Sequence, residues 1–64
     1  MESITININT TNQIFVEQGE QELTRILRDL ADGIESGAID EQGAMIHDLN
    51  GNLVGTLTIE NEEE

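Results

Sequence analysis

The side chains able to do chemistry in this sequence are almost all carboxylates. Fourteen Asp and Glu residues stand against two Arg, and His47 is the single His; Cys, Lys and Tyr are absent. General acid–base and nucleophilic catalysis usually draw on those types, or on a carboxylate in a pocket. A chain of 64 residues also has little material for a deep pocket. The composition therefore predicts a protein that is not an enzyme and needs no cofactor.

One segment has the beginning of a calcium-binding loop. In DLNGN, Asp48, Asn50 and Asn52 fit the first, third and fifth positions of an EF-hand. The sixth position should be Gly and is Leu53, and the twelfth should be Glu and is Ile59. The segment is therefore interpreted as a turn, and no metal site is predicted.

The net charge of −12 limits the partners of the protein. Direct binding to nucleic acid or to an anionic membrane needs Lys and Arg, so both are excluded. A basic nucleic-acid-binding protein is the complementary partner, with carboxylates paired to its Lys and Arg. The candidate partner-binding residues are Glu22, Asp29, Asp32, Glu35, Asp40, Glu41 and Asp48.

The alternative is an ordinary solvated face. Arg25 and Arg28 each have an Asp four residues further on, Asp29 and Asp32, which is the spacing of ion pairs on a helix. Such exposed pairs contribute little to stability. The excess of fourteen acids over two bases is what favours a binding role.

The first half of the chain predicts a strand and a helix. Ile4, Ile6 and Ile8 alternate with polar residues, which is typical of a strand with one buried face. The segment TNQIFVEQGE is interpreted as a connection. A helix is predicted from Gly19 or Glu20 to a left-handed cap at Gly37. Its apolar stripe follows helical spacing and comprises Leu23, Ile26, Leu27, Leu30, Ala31 and Ile34.

The segment AMIHDLNGNLVGTLTIE predicts a hairpin. A type I turn starting at Asp48, with Gly51 left-handed in a bulge, is favoured over a two-residue turn on Asn50-Gly51. The core face of the second strand is assigned to Leu53, Gly55, Leu57 and Ile59. The bulged turn would add Met45 and His47 to that face, and the two-residue turn would add Ala44 and Ile46. The opposite, solvated face is assigned to Thr5, Asn7, Val54, Thr56 and Thr58.

These elements predict a single α+β domain over residues 1–64, with a short acidic tail at 60–64. The order is β-α-β-β, with one amphipathic helix packed on a three-stranded antiparallel sheet. The first strand is expected beside the last and antiparallel to it. Either a monomer or a homodimer is compatible with so small a core.

Two resemblances extend this interpretation. The segments Ile26–Gly37 and Asp48–Gly55 resemble a family of small acidic proteins of phages and mobile elements, with a helix reading "ILrxLAxxIexG" and a "DxNGNxVG" hairpin. In size and acidity the chain also resembles anti-CRISPR proteins that mimic DNA. The second resemblance implies a phage protein that binds a type I, Cascade-type CRISPR effector and blocks target DNA binding.

The protein is expected to act in the cytoplasm, and the same resemblances imply that its host is a bacterium. The N-terminal residues MESITININT have no basic region followed by an apolar run, as a signal peptide would. The alternative function is a non-catalytic interaction module that binds a partner through its sheet face, possibly as a homodimer.

Overall fold

The computed structural model describes residues 3–60, which form one helix and one sheet. The elements are β1 (Ser3–Ile8), α1 (Gln13–Ser36), β2 (Ala44–His47) and β3 (Leu53–Glu60). The predicted α+β class and the order β-α-β-β are confirmed. Of the predicted acidic tail, only Glu60 belongs to the described residues.

The sheet has the order β1-β3-β2, and both strand pairs are antiparallel. The expected pairing of the first strand with the last is therefore confirmed. Gly55 lies in the central strand opposite Ile8. A Cβ at this position would overlap the backbone carbonyl oxygen of Asn7, so the close approach of β1 to β3 requires glycine here.

The helix begins at Gln13, well before the predicted start near Gly19. Gln18 has non-helical dihedral angles (φ −137°, ψ 44°), so a kink divides α1 just before that predicted start. The first turns of α1 are helical although their sequence has no helical period, because this conformation buries Phe15 in the core. Its apolar neighbours Ile14 and Val16 are not buried. The predicted cap is confirmed: Gly37 has a φ of 85°, and its N–H donates to the carbonyl oxygen of Ile34 at 3.2 Å.

The hairpin turn is the bulged form. The N–H of Gly51 donates to the carbonyl oxygen of Asp48 at 3.0 Å, and Gly51 has a φ of 88°. A two-residue type I′ turn would need a positive φ at Asn50 as well, and Asn50 does not have one.

A second irregularity overturns the predicted facing of the hairpin strands. His47 pairs with Leu53 and Ile46 pairs with Gly55, so Val54 is an extra residue in β3. The prediction that Met45 and His47 face the core is wrong, because this second bulge returns Ile46 to the core face. Val54 is buried and Leu53 is 58% exposed, the reverse of their predicted positions.

The core contains six buried apolar side chains among the described residues: Phe15, Ile26, Leu30, Ile46, Val54 and Leu57. The predicted apolar face is only partly covered. Within the predicted helical stripe, Leu27 and Ile34 are 45% and 41% exposed, and Ala31 is also exposed.

The inner face of β1 is incompletely covered as well. Ile4 and Ile6 are 40% and 43% exposed although they pair with the inward-facing Ile59 and Leu57. The predicted burial of both residues is therefore wrong, and of the three Ile residues of β1 only Ile8 packs against the core. On the other face of the sheet, Thr5, Asn7, Thr56 and Thr58 are exposed as predicted.

Candidate protein-binding surface

Glu22 joins the helix to the hairpin turn and is buried, with 4% of its surface exposed. Its Oε2 accepts hydrogen bonds from the N–H of Leu49 at 2.9 Å and from Nη2 of Arg25 at 2.7 Å. Its Oε1 accepts a bond from Nε of Arg25 at 3.1 Å. The bonds from Arg25 hold the pKa of Glu22 below its usual value, against the opposing effect of burial, and the Leu49 N–H adds to them. The carboxylate is thus fixed in its charged form.

Asp48 holds the turn itself and is 5% exposed. Its Oδ1 accepts the N–H groups of Asn50 and Asn52, both at 2.9 Å. Its Oδ2 accepts the side-chain amides of Asn12 at 3.1 Å and Asn52 at 3.2 Å. Burial on its own would raise the pKa of Asp48, but the hydrogen bonds from Asn52, Asn12 and Asn50 outweigh it and lower the pKa.

These donors also bear on the calcium-loop comparison. N–H groups converge on both carboxylate oxygens of Asp48, where a bound cation would need free lone pairs. Within residues 3–60 no cluster of three or more His, Asp or Glu side chains is arranged to hold a metal ion.

Two of the seven candidate partner-binding residues must therefore be corrected. Glu22 and Asp48 are buried, and their oxygens are engaged inside the protein, so neither is available to a cationic side chain of a partner. The signal for Glu22 was its spacing, four residues before Ile26 and eight before Leu30, which places it on the core face of the helix. The signal for Asp48 was its position as the first residue of a type I turn, where Asp bonds the backbone that follows.

The other five candidates form what we call the acidic surface: Asp29, Asp32, Glu35, Asp40 and Glu41, all exposed. The first three succeed one another at steps of three residues along α1, so each step advances about 4.5 Å and turns about 60° around the helix. They fan across its solvent side and do not form a straight row. The last two continue the acidic surface beyond the C-terminal end of the helix.

The two Arg residues are placed differently from each other. Arg25 bridges Glu22 and Asp29, and its bond to Asp29 is 3.0 Å long, so that predicted ion pair is confirmed. Arg28 makes no ion pair within residues 3–60, so the predicted pair with Asp32 does not form. Within residues 3–60, Asp32 and Glu35 are exposed and take part in no ion pair.

The loop that carries Asp40 and Glu41 has a defined conformation. The N–H of Gln42 donates to Oδ1 of Asp40 at 3.0 Å, and the N–H of Gly43 donates to the Asp40 carbonyl oxygen at 2.9 Å. Gly43 has a φ of 81°, and a Cβ there would overlap the Leu57 carbonyl oxygen. The loop is therefore held against the sheet, and the Asp40 carboxylate is bonded to the loop backbone.

Open cavities lie at the surface of residues 3–60. An open cavity of about 300 Å³ is lined by Asn, Thr and apolar residues near Asn12 and Val54, without a titratable side chain. A smaller one of about 140 Å³ lies between α1 and β2 beside Arg25, Asp29 and His47. The second is below the usual size of a small-molecule site.

Comparison of the chain with protein-family models, with curated proteins and with solved structures found no match. Among residues 3–60, no helix combines the length and the apolar character needed to cross a bilayer.

Proposed function

We propose that this protein is a phage-encoded, non-catalytic inhibitor that mimics DNA and occupies a basic DNA-binding groove of a type I, Cascade-type CRISPR effector. The observation that carries the mimicry is the acidic surface, whose five exposed carboxylates stand on a helix and on a hydrogen-bonded loop. The choice of effector rests on the resemblance of the chain to anti-CRISPR proteins in size and charge.

Fixed carboxylates are better mimics of phosphates than carboxylates on a disordered tail. A rigid helix presents its charges without the ordering cost that a flexible segment pays on binding. The steps of about 4.5 Å along α1 are comparable to the ~3.4 Å between phosphates along one DNA strand. The acidic surface therefore resembles DNA in the density and sign of its charge. Lys and Arg side chains of the groove would pair with its carboxylates.

Binding of this kind must depend on salt. The net charge of −12 steers the protein towards a basic groove, and added salt screens that attraction. We expect association with a purified Cascade complex to slow steeply as salt rises, and target DNA to compete for the same groove.

The experiment compares two double variants that change the net charge equally. Asp32→Lys/Glu35→Lys reverses charge on the acidic surface at residues with no bond to lose, whereas Glu20→Lys/Glu60→Lys reverses charge at exposed residues elsewhere. Binding to Cascade is measured for both variants over a salt series, with circular dichroism to check folding.

The first variant is expected to bind at least tenfold more weakly and with a shallower salt dependence, because it loses direct pairs. The second should remain within about threefold of the parent, since only long-range steering is reduced. Equal weakening by both variants would mean that net charge alone matters, and undiminished binding by the first would refute the assignment of the acidic surface.

A second function is favoured by the outer face of the sheet. Met45 is 69% exposed there and lies opposite Thr56, beside Thr58, which is also exposed. An interaction module using this face would keep its partner at high salt and lose it on Thr56→Lys or Thr58→Lys. Val54, assigned to this face from the sequence, is buried and takes no part.

A further inference from the structure

The edge of the sheet at β1 lacks, within Ser3–Ile8, the charged residue, Pro or bulge that usually protects an edge strand. Strand β1 reads SITINI, without a charged residue or Pro, and it is an outer strand of the order β1-β3-β2. Edge strands of natural proteins are commonly blocked by Lys, Pro or a bulge, because an open edge recruits another strand. The register of β1 with β3 is continuous from Ser3 to Ile8, so no bulge interrupts it.

The hydrogen-bonding groups on this edge can be assigned. The N–H of Asn9 donates to the carbonyl oxygen of Val54 at 2.7 Å, so Asn9 points its backbone groups towards β3. Bonding direction alternates along an antiparallel strand. Ile4, Ile6 and Ile8 therefore point their N–H and C=O groups away from β3, towards the open edge.

An apolar flank of the helix lies above the same edge. Arg25 donates to the carbonyl oxygen of His47 at 3.3 Å, which places the Arg25 flank of α1 over β2. Leu27 and Ile34 project roughly 160–180° around the helix from Arg25, towards the β1 side. These two residues, together with Ile4 and Ile6, are each at least 40% exposed. From this placement we expect the four side chains to line one apolar groove between α1 and β1.

We propose that this edge and groove form the interface of a homodimer, in which β1 pairs antiparallel with β1 of a second copy to give a continuous six-stranded sheet. The register that uses all three outward-facing residues pairs Ile6 with Ile6 of the second copy and Ile4 with its Ile8. Ile residues then meet Ile residues on the inner face, and polar residues meet polar residues on the outer face.

The charge distribution selects a second copy as the occupant. A basic partner would gain nothing from Ser3–Ile8, which contains no carboxylate, whereas a second copy supplies the same neutral, apolar strand. The two β2 flanks, where Asp29 lies, would stand about 24 Å apart across six strands spaced ~4.8 Å. That distance exceeds the ~8 Å screening length at physiological salt, so the repulsion between them is weak.

The small core is the physical reason to expect a dimer, because pairing would bury more apolar surface. Only six apolar side chains are buried among the described residues, and chains of this size often need oligomerisation to complete a core. Pairing would cover Ile4, Ile6, Leu27 and Ile34 from both copies. The inference does not rest on the proposed inhibitor function, and its test needs no CRISPR component.

The first experiment is analytical ultracentrifugation of the full chain from low micromolar to several hundred micromolar. A species of twice the 7.1 kDa chain mass is expected. A monomer over the whole concentration range would overturn the proposal, whether the groove is then empty or binds another partner. Ile6→Lys should raise the dimer dissociation constant at least tenfold. Met45→Lys, the matched change on the opposite edge strand, should leave it unchanged; the reverse result would assign the dimer to β2.

A second measurement does not depend on Ile6→Lys folding. The chain has no Cys, so single Cys substitutions provide unique cross-linking sites. In the proposed register Thr5 lies opposite Asn7 of the second copy, on the exposed outer face, at a distance suited to a disulfide. A mixture of Thr5→Cys and Asn7→Cys chains should oxidise mainly to the mixed disulfide. Statistical mixing of all disulfides, or none, would count against the interface.

Discussion

Glu22→Gln isolates the contribution of the buried carboxylate that joins α1 to the hairpin. Gln has nearly the same shape as Glu but replaces one acceptor oxygen by an NH₂ donor. With its remaining oxygen in the place of Oε2, it still accepts the Leu49 N–H and Nη2 of Arg25. Its NH₂ group then faces Nε–H of Arg25, donor against donor, where Oε1 had accepted a bond of 3.1 Å.

The loss of folding stability expected for Glu22→Gln follows from these contacts. A hydrogen bond that involves a charged group contributes ~1.5–3 kcal/mol, and here one such bond is lost while others lose their negative partner. The Arg25 side chain is 35% exposed, so water recovers part of the loss. We expect a net decrease of about 2 kcal/mol in the free energy of unfolding, equivalent to a fall of roughly 8–16 °C in Tm for a chain of this size.

The effect should depend on pH in a defined direction. Because the pKa of Glu22 is lowered in the folded protein, its stabilisation is fully present above the unfolded pKa of ~4.3 and is lost as pH falls through the folded pKa. The stability difference between the parent and Glu22→Gln should therefore be constant near neutrality and shrink in acid. Asp48, whose pKa is also lowered, makes both proteins less stable in acid without changing that trend.

The assay is urea unfolding followed by far-UV circular dichroism, since the chain has no Trp or Tyr. Glu35→Gln is the matched control, because Glu35 is exposed on the same helix and its loss changes the net charge equally. The control should stay within about 0.5 kcal/mol of the parent. A loss below 0.5 kcal/mol for Glu22→Gln, or a difference that persists unchanged in strong acid, would refute the structural role of Glu22.

Three further changes test the packing, each by the same unfolding assay. Leu57→Ala should cost about 2–5 kcal/mol, because Leu57 is 1% exposed at the centre of the core; a smaller loss would contradict that core. Gly55→Ala should abolish cooperative unfolding, because its Cβ would overlap the Asn7 carbonyl oxygen, and a stable variant would mean that β1 and β3 are further apart. Gly19→Ala should raise stability by about 0.4–1 kcal/mol, because no atom lies within 4 Å of the added Cβ; destabilisation would show that the kink at Gln18 needs Gly19.

The fold was predictable where one local rule acted alone. Alternation gave β1, helical spacing gave the second part of α1, and Gly37 gave its end. The first turns of α1 were not predictable, because they form to bury Phe15 and have no period of their own. The strand facing failed at Val54, since a second bulge there depends on tertiary packing. It reverses the predicted facing of Leu53, Val54 and strand β2, whereas Leu57 stays in the core as predicted.

Only part of the candidate binding surface was predictable, because the sequence does not say directly which carboxylates are buried. The formal charge does not distinguish Asp32, which is exposed, from Glu22, which is buried. Helical spacing separates the two once Ile26 and Leu30 are taken as the centre of the buried face. The apolar stripe predicted from the sequence is centred nearer Leu27 and Ile34. A helix over the middle of the sheet would have both flanks of this stripe covered, whereas α1 lies towards β2 and leaves Leu27 and Ile34 exposed.

The position of β3 determines when the chain can fold during its synthesis. The middle strand of the sheet is the last of the three to be made, and β1 pairs with it across the longest separations in the chain, up to Ser3 with Glu60. Until Leu53–Glu60 has left the ribosome, β1 and β2 have no neighbouring strand, and Phe15, Ile26 and Leu30 have neither Val54 nor Leu57 to pack against. A nascent chain that stops short of Leu53 can form helix but no sheet, so folding is deferred until β3 has been made and then occurs as one event.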